Sequence, residues 1–80
     1  MSYNKDELVA LLKSGNIAEF NKRRKPFRIL DLSGADLSGV DLKGANLQGT
    51  NFTGANLTDA KLEGAYIQGA NFTDAVGLQQ

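Results

Sequence analysis

Three carboxylates, Asp31, Asp36 and Asp41, recur at a spacing of five residues. Side chains of this type, if they converged, could share a proton in general acid–base work or hold a hard cation. A second candidate is Lys22-Arg23-Arg24-Lys25, the one run of like charge in the chain. Such a run suits phosphate or an anionic surface. It better suits a solvated helix end, where cations meet the negative pole of the dipole, because four cations alone are a weak electrostatic footprint. Tyr66 is a third candidate, an aromatic contact placed where neighbouring segments carry Asp or Asn. The chain holds no histidine and no cysteine. It therefore lacks the usual general base, the usual nucleophile pairings and the thiolate and imidazole metal ligands. A non-enzyme with no cofactor, no metal site and no small-molecule substrate is the expectation.

What positions the carboxylates is the period itself. From Leu30 the chain reads Leu-Asp-Leu-Ser-Gly, Ala-Asp-Leu-Ser-Gly, Val-Asp-Leu-Lys-Gly and Ala-Asn-Leu-Gln-Gly, and the pattern continues in register to Asp74. A period of five fits neither a helix at 3.6 nor an alternating strand at 2, and it points to stacked repeats. The third residue of each segment is large and apolar: Leu32, Leu37, Leu42, Leu47, Phe52, Leu57, Leu62, Ile67 and Phe72. The first is small or modest, as at Ala35, Val40, Ala45, Thr50 and Ala55. One residue apart in extended chain, these two positions point the same way, and that way is inward. The second residue then points outward. The fifth is glycine except at Asp59 and Asp74, two residues of a type that tolerates positive φ, so the chain turns there.

A corner every five residues gives a closed polygon, and stacked polygons make a parallel β-helix. Gln48-Gly-Thr-Asn-Phe-Thr recurs as Gln68-Gly-Ala-Asn-Phe-Thr, a shift of twenty that implies four faces per coil. At that shift Phe52 stacks on Phe72, Asp41 falls over Lys61 and Lys43 over Glu63. Opposite charges in register on adjacent rungs are favourable by a few tenths to about 1 kcal/mol. With one carboxylate per face, Asp31, Asp36 and Asp41 diverge around the polygon and form no shared site.

Residues 30–74 resemble the pentapeptide repeat family, whose consensus A-(D/N)-L-X-X they match in nine consecutive segments. The resemblance implies a right-handed quadrilateral β-helix with the central position at Leu32 through Phe72 and the small inward position at Ala35 through Ala70. Residues 11–21 are also similar to the N-terminal stretch of small cyanobacterial members. The sequence departs from the pattern at Leu30, bulky where a small residue is usual, and at Thr50, whose inward hydroxyl needs a partner. At Gly77 the large central residue is missing, so the coil is expected to end or distort near Ala75.

Before the repeat, Asn4 with Glu7, and Asn16 with Glu19, have the spacing of capping boxes. They predict helices over 5–14, stopped at Gly15, and 17–24, stopped by Pro26. Leu8, Leu11, Leu12, Ile17 and Phe20 would form an apolar face that covers the first coil, with Phe27 also inward. The expected organisation is mainly β: a helical cap over 1–26, then a β-helix of about two and a half coils over 27–80. The zero net charge is a cancellation, because residues 1–26 carry plus three and residues 27–80 minus three. No apolar run spans a membrane and no signal-peptide order opens the chain, so a cytoplasmic location is expected.

These features leave three functional readings. The first is a protein-binding or structural module with an unknown protein partner, including a homodimer through the open C-terminal end. The second follows from the resemblance: some family members mimic duplex DNA and occupy the DNA-binding surface of type II topoisomerases. A stack of about 12 Å is short for that role. Weak nucleic-acid binding through Lys22–Lys25 ranks third, since no aromatic residue interleaves with the run to stack bases.

Overall fold

The computed structural model describes residues 4–25 and 29–78. The expected stop at Pro26 and the inward role of Phe27 fall outside those residues. Helix α1 spans Lys5–Lys13, and Asn4 caps it, its Oδ1 accepting from the backbone N–H of Asp6 at 2.9 Å and of Glu7 at 3.3 Å. Only half of the capping box forms, because the Glu7 carboxylate reaches Arg23 instead, at 3.2 Å. After Ser14 the chain turns through Gly15 at φ 81°, with Gly15 N–H donating to Leu12 and Asn16 N–H to Leu11. That pair of bonds is a Schellman ending, and its left-handed residue favours glycine.

Helix α2 spans Ile17–Arg24, and its N-cap Asn16 makes no side-chain cap bond. The second capping box is therefore absent. Glu19 bonds Arg23 one turn on, at 2.8 Å. The two helices bury Leu8, Leu12 and Phe20, while Leu11 and Ile17 are half-buried at the margin of the same face.

From Leu30 the chain passes over itself every twenty residues. Strand β1 (Leu30–Asp31) pairs in parallel with β2 (Thr50–Asn51), and single bridges join Asp36 to Asn56, Asp41 to Lys61 and Asn46 to Tyr66. A first coil over 30–49 thus lies under a second over 50–69. A partial third passage follows, joined at Asn51–Asn71 and Asn56–Val76. Regular strand is limited to two residues on each of β1 and β2. Each segment has only three extended residues before its turn, too few for a continuous ladder, so the expected mainly β content is not reached in regular strand: the helices of nine and eight residues outweigh two strands of two.

The bonding direction is constant. Third-position N–H groups of the first coil donate upward, as Leu32 to Asn51, Leu37 to Asn56, Leu42 to Lys61 and Leu47 to Tyr66, at 2.8–2.9 Å. First-position carbonyls accept from above, as Ala35 from Asn56 and Ala45 from Tyr66, both at 2.9 Å. This leaves second-position groups and fourth-position carbonyls of the first coil pointing down, toward the helices.

Leu32, Leu37, Leu42, Leu47, Phe52 and Leu57 are buried, and Phe52 stacks on Phe72 at 5.2 Å with rings 5° from parallel. Leu62 and Phe72 are only half-buried, and Ile67 is 40% exposed. Those three were expected in the core. They belong to the last rungs and have a neighbour on one side only. The coil ends near Ala75 as expected, its last bridge joining Val76 to Asn56 and Gly77 following at φ 78°. A Cβ at Gly77 would lie 2.3 Å from the Thr58 Cα, so no larger residue fits there. Asp59 and Asp74 take the glycine corner at φ 59°.

Thr50 is fully buried, and its Oγ1 has no hydrogen-bond partner among the described residues. A buried hydroxyl without a partner costs about 1–3 kcal/mol. Thr50→Val keeps the shape and removes the polar atom. It is expected to stabilise by about 1–2 kcal/mol, read as a rise in Tm of roughly 4–8 °C per kcal/mol in a domain of this size. An unchanged or lower Tm would mean that the hydroxyl is already satisfied.

Candidate interaction surfaces

The outward carboxylates turn out to have local work. The Oδ1 of Asp31 accepts from Ser33 N–H at 2.9 Å and from its hydroxyl at 2.6 Å; Asp36 does the same with Ser38 at 3.1 and 2.7 Å. Asp41 accepts from Lys43 N–H, and Asn46, Asn51, Asn56 and Asn71 each accept from the N–H two residues on. These are Asx turns, which explains why Asp and Asn interchange at the second position. Bonds from the Ser33 and Ser38 hydroxyls, then from their N–H groups, hold the Asp31 and Asp36 carboxyls below the usual carboxylate range. Among the described residues, no three acidic or other metal-ligating side chains gather into a cluster.

Asp41 and Lys61 stand in register as expected. Among the described residues, however, neither they nor Lys43 and Glu63 close to an ion pair. All four line a shallow recess of about 250 Å³ on one side.

The basic run does not act as a unit. Lys22 and Lys25 are exposed, and Arg23 bonds Glu19 and Glu7. Arg24 departs from both expectations, phosphate patch and solvated helix end: only 3% of it is exposed. Its Nη1 donates to the Asn46 carbonyl at 3.0 Å and to the Gln48 carbonyl at 2.8 Å. Burial pulls its pKa below the ordinary arginine value. Beside it, Asn21 accepts from Asn46 N–H at 2.7 Å and donates to the Gly44 carbonyl at 3.0 Å. Lys5 donates to the Ser33 carbonyl on another face. The Asn46 and Gln48 groups are the ones a preceding coil would satisfy. Helix α2 replaces that missing coil with side chains.

Sequence reasoning missed Asn21 and Lys5, and it singled out Arg24 without its inward role. The signal for two of them was present: Ile17, Phe20, Asn21 and Arg24 share one helix face at spacings of three and four.

The opposite end has no such cover among the described residues. Ile67 there is open at 40%, Tyr66 at 52% and Val76 at 53%. A cleft of about 520 Å³ opens where the third passage stops, its lining including the apolar Leu57, Leu62 and Leu78 and the charged Asp59, Lys61 and Glu63. Above Ala60, Leu62, Ala65 and Ile67 the outward-turned carbonyls and N–H groups have no backbone partners among the described residues. Tyr66 stands at the edge of this end. With no side-chain acceptor at that reach, it cannot form the Asx turn of its neighbours.

No curated protein matches the chain. The family model for pentapeptide repeats matches residues 35–74 in eight copies. It omits the first segment, where Leu30 replaces the small residue, although Leu30 is fully buried and pairs with Thr50. With half its length in register with that model, and with coils that return on the same five-residue beat, the chain belongs to the pentapeptide repeat family.

Proposed function

We propose that this chain is a non-catalytic, cytoplasmic protein-interaction module: a right-handed quadrilateral β-helix over 27–80 behind a helical cap over 1–26, which works by contact at its C-terminal end. The observation that carries this reading is the contrast between the two ends. One end has its backbone edge bonded by Arg24, Asn21 and Lys5. The other presents an apolar rim and edge groups without backbone partners among the described residues. Solvating such a rim forgoes burial worth about 25 cal/mol per Å² of apolar surface. Exposed strand edges are also templates for pairing. Among the described residues, no helix is long and apolar enough to cross a membrane.

A photoreactive benzoylphenylalanine in place of Tyr66, introduced in producing cells, tests the reading. Protein adducts are expected at Tyr66 and not at Lys22 or Lys25 on the capped end. Adducts confined to Lys22 and Lys25 would overturn it.

The duplex-mimic alternative, a modulator of a type II topoisomerase, draws on the exposed carboxylates of the repeat. It meets a limit of length: the long dimension, cap included, is 32 Å, roughly nine base-pair steps at 3.4 Å. Nucleic-acid binding through the basic run ranks third, since Arg24 faces the coil and Arg23 is paired.

A further inference from the structure

We propose that the side face built from segments 40–44 and 60–64 binds the same face of a second copy of this chain, through a charge pattern that complements itself. The contact is separate from the open end and leaves it clear.

Within residues 30–78 the cations are Lys43 and Lys61, and both stand on this face. Asp41 lies beneath Lys61 across a parallel bridge. The corners that follow Lys43 and Glu63 are joined by a bond from Gly44 N–H to the Gly64 carbonyl at 3.0 Å. Asp41, Lys43, Lys61 and Glu63 are all exposed. They occupy the corners of a rectangle, about 6.6 Å along the strand and about 4.8 Å up the stack. Around it the charges alternate: minus at Asp41, plus at Lys43, minus at Glu63 and plus at Lys61. The Lys43 stem runs up beside the next rung, since a Cβ at Gly64 would meet its Cγ at 3.1 Å. The recess between them measures about 250 Å³. Among the described residues none of the four closes an ion pair, so their charges remain open to an outside surface.

The pattern has no net charge, and that limits what it can hold. A single ion over its middle loses at two corners what it gains at the other two. An extended peptide laid between the rungs meets Asp41 and Lys61 together, and their fields cancel. The occupant must itself carry two adjacent rows of opposite order. This chain does, with Asp41-Leu-Lys43 on one rung and Lys61-Leu-Glu63 on the next.

Turned face to face about an axis along the stack, Asp41 meets Lys43 of the second copy and Lys61 meets Glu63 of the second copy. About an axis along the strands, Asp41 meets Lys61 of the second copy and Lys43 meets Glu63 of the second copy. Either way all four contacts join opposite charges, whereas a turn about a diagonal sets like on like. The zero net charge of the chain leaves no long-range repulsion to oppose the approach. Exposed ion pairs are weak singly, so association in about the millimolar range is expected. Salt should weaken it by screening the opposed charges. An apolar contact at the open end would not lose strength in this way.

Sedimentation equilibrium of the full chain up to millimolar concentration, at low and high sodium chloride, reads the association. A monomer–dimer equilibrium that weakens several-fold at high salt is expected. Lys61→Glu creates two like-charge contacts in either orientation, and should weaken the dimer by about tenfold or more while keeping the circular dichroism of the parent. Two double exchanges then separate the axes. Lys61→Glu with Glu63→Lys stays complementary only about the axis along the stack. Lys43→Glu with Glu63→Lys stays complementary only about the axis along the strands. At least one of these, with the composition of the parent, should associate within about threefold of it. A parent that stays monomeric, a dimer indifferent to Lys61→Glu, or loss in both double variants would overturn the proposal. A dimer that tightens with salt would do so too, and would place the contact at an apolar surface instead.

Discussion

Leu47→Asp is expected to abolish folding. Leu47 is fully buried at the third position of the fourth segment, and its N–H donates to the Tyr66 carbonyl at 2.8 Å. Truncating a buried leucine alone costs about 2–5 kcal/mol. A carboxylate in that place adds a desolvation penalty of several kcal/mol, and protonating it to escape the charge still leaves polar atoms unpaired. A chain of 80 residues has a total stability of roughly 4–12 kcal/mol. The sum reaches or exceeds that. Far-ultraviolet circular dichroism and a urea melt read the outcome. The same change at Ile67, also a third position but 40% exposed, should leave a folded chain. If Leu47→Asp melts as the parent does, the inward assignment of the third residue fails, and with it the coil.

That contrast between Leu47 and Ile67 marks the limit of what the sequence displays. A repeat announces what its units have in common, and here it revealed the inward first and third positions, the glycine corners and the twenty-residue return. Register followed from identity: Phe52 over Phe72 needed no more than the shift. The ends were hidden because they break the symmetry that makes units alike. Ile67 reads the same as Leu47 in the pattern and differs only in having nothing above it. Gly77 reads as a missing core residue, yet it allows Val76 to close against Asn56 where any Cβ would strike Thr58.

The candidate surfaces were obscured for a different reason. Charge was read by type and adjacency, whereas the fold uses it by direction. Asp31 and Asp36 spend their acceptor capacity on Ser33 and Ser38, two residues along their own segments, and are therefore turn-makers before they are surface charges. Four adjacent cations looked like one patch, but a helix fans consecutive side chains about 100° apart. Lys22, Arg23 and Lys25 went to solvent or to glutamates, and Arg24 went to the coil. Lys43 and Glu63 show the converse: register brought opposite charges into adjacent rungs, and long side chains in water did not close the gap.

Arg24→Met is expected to cost about 2–4 kcal/mol, the second largest effect of a single change. Methionine keeps an apolar stem against the coil and removes the donors, so the variant isolates the hydrogen bonds from the packing. Each bond from a charged donor to a carbonyl is worth about 1.5–3 kcal/mol, and two carbonyls, of Asn46 and Gln48, lose the same partner. Lys22→Met and Lys25→Met, at exposed positions, should stay within about 0.5 kcal/mol. The loss at Arg24 should persist in high salt, since buried bonds are screened little. Asn21→Ala strips partners from Asn46 N–H and the Gly44 carbonyl in the same stretch of coil. The double variant should therefore lose less than the two single losses combined, because once one brace has gone the other holds an edge already loosened. Denaturant melts of the four single variants and the double decide it. If Arg24→Met is as quiet as Lys25→Met, helix α2 merely lies against the first coil. If it stands apart, the helix takes the place of a neighbouring coil along that edge.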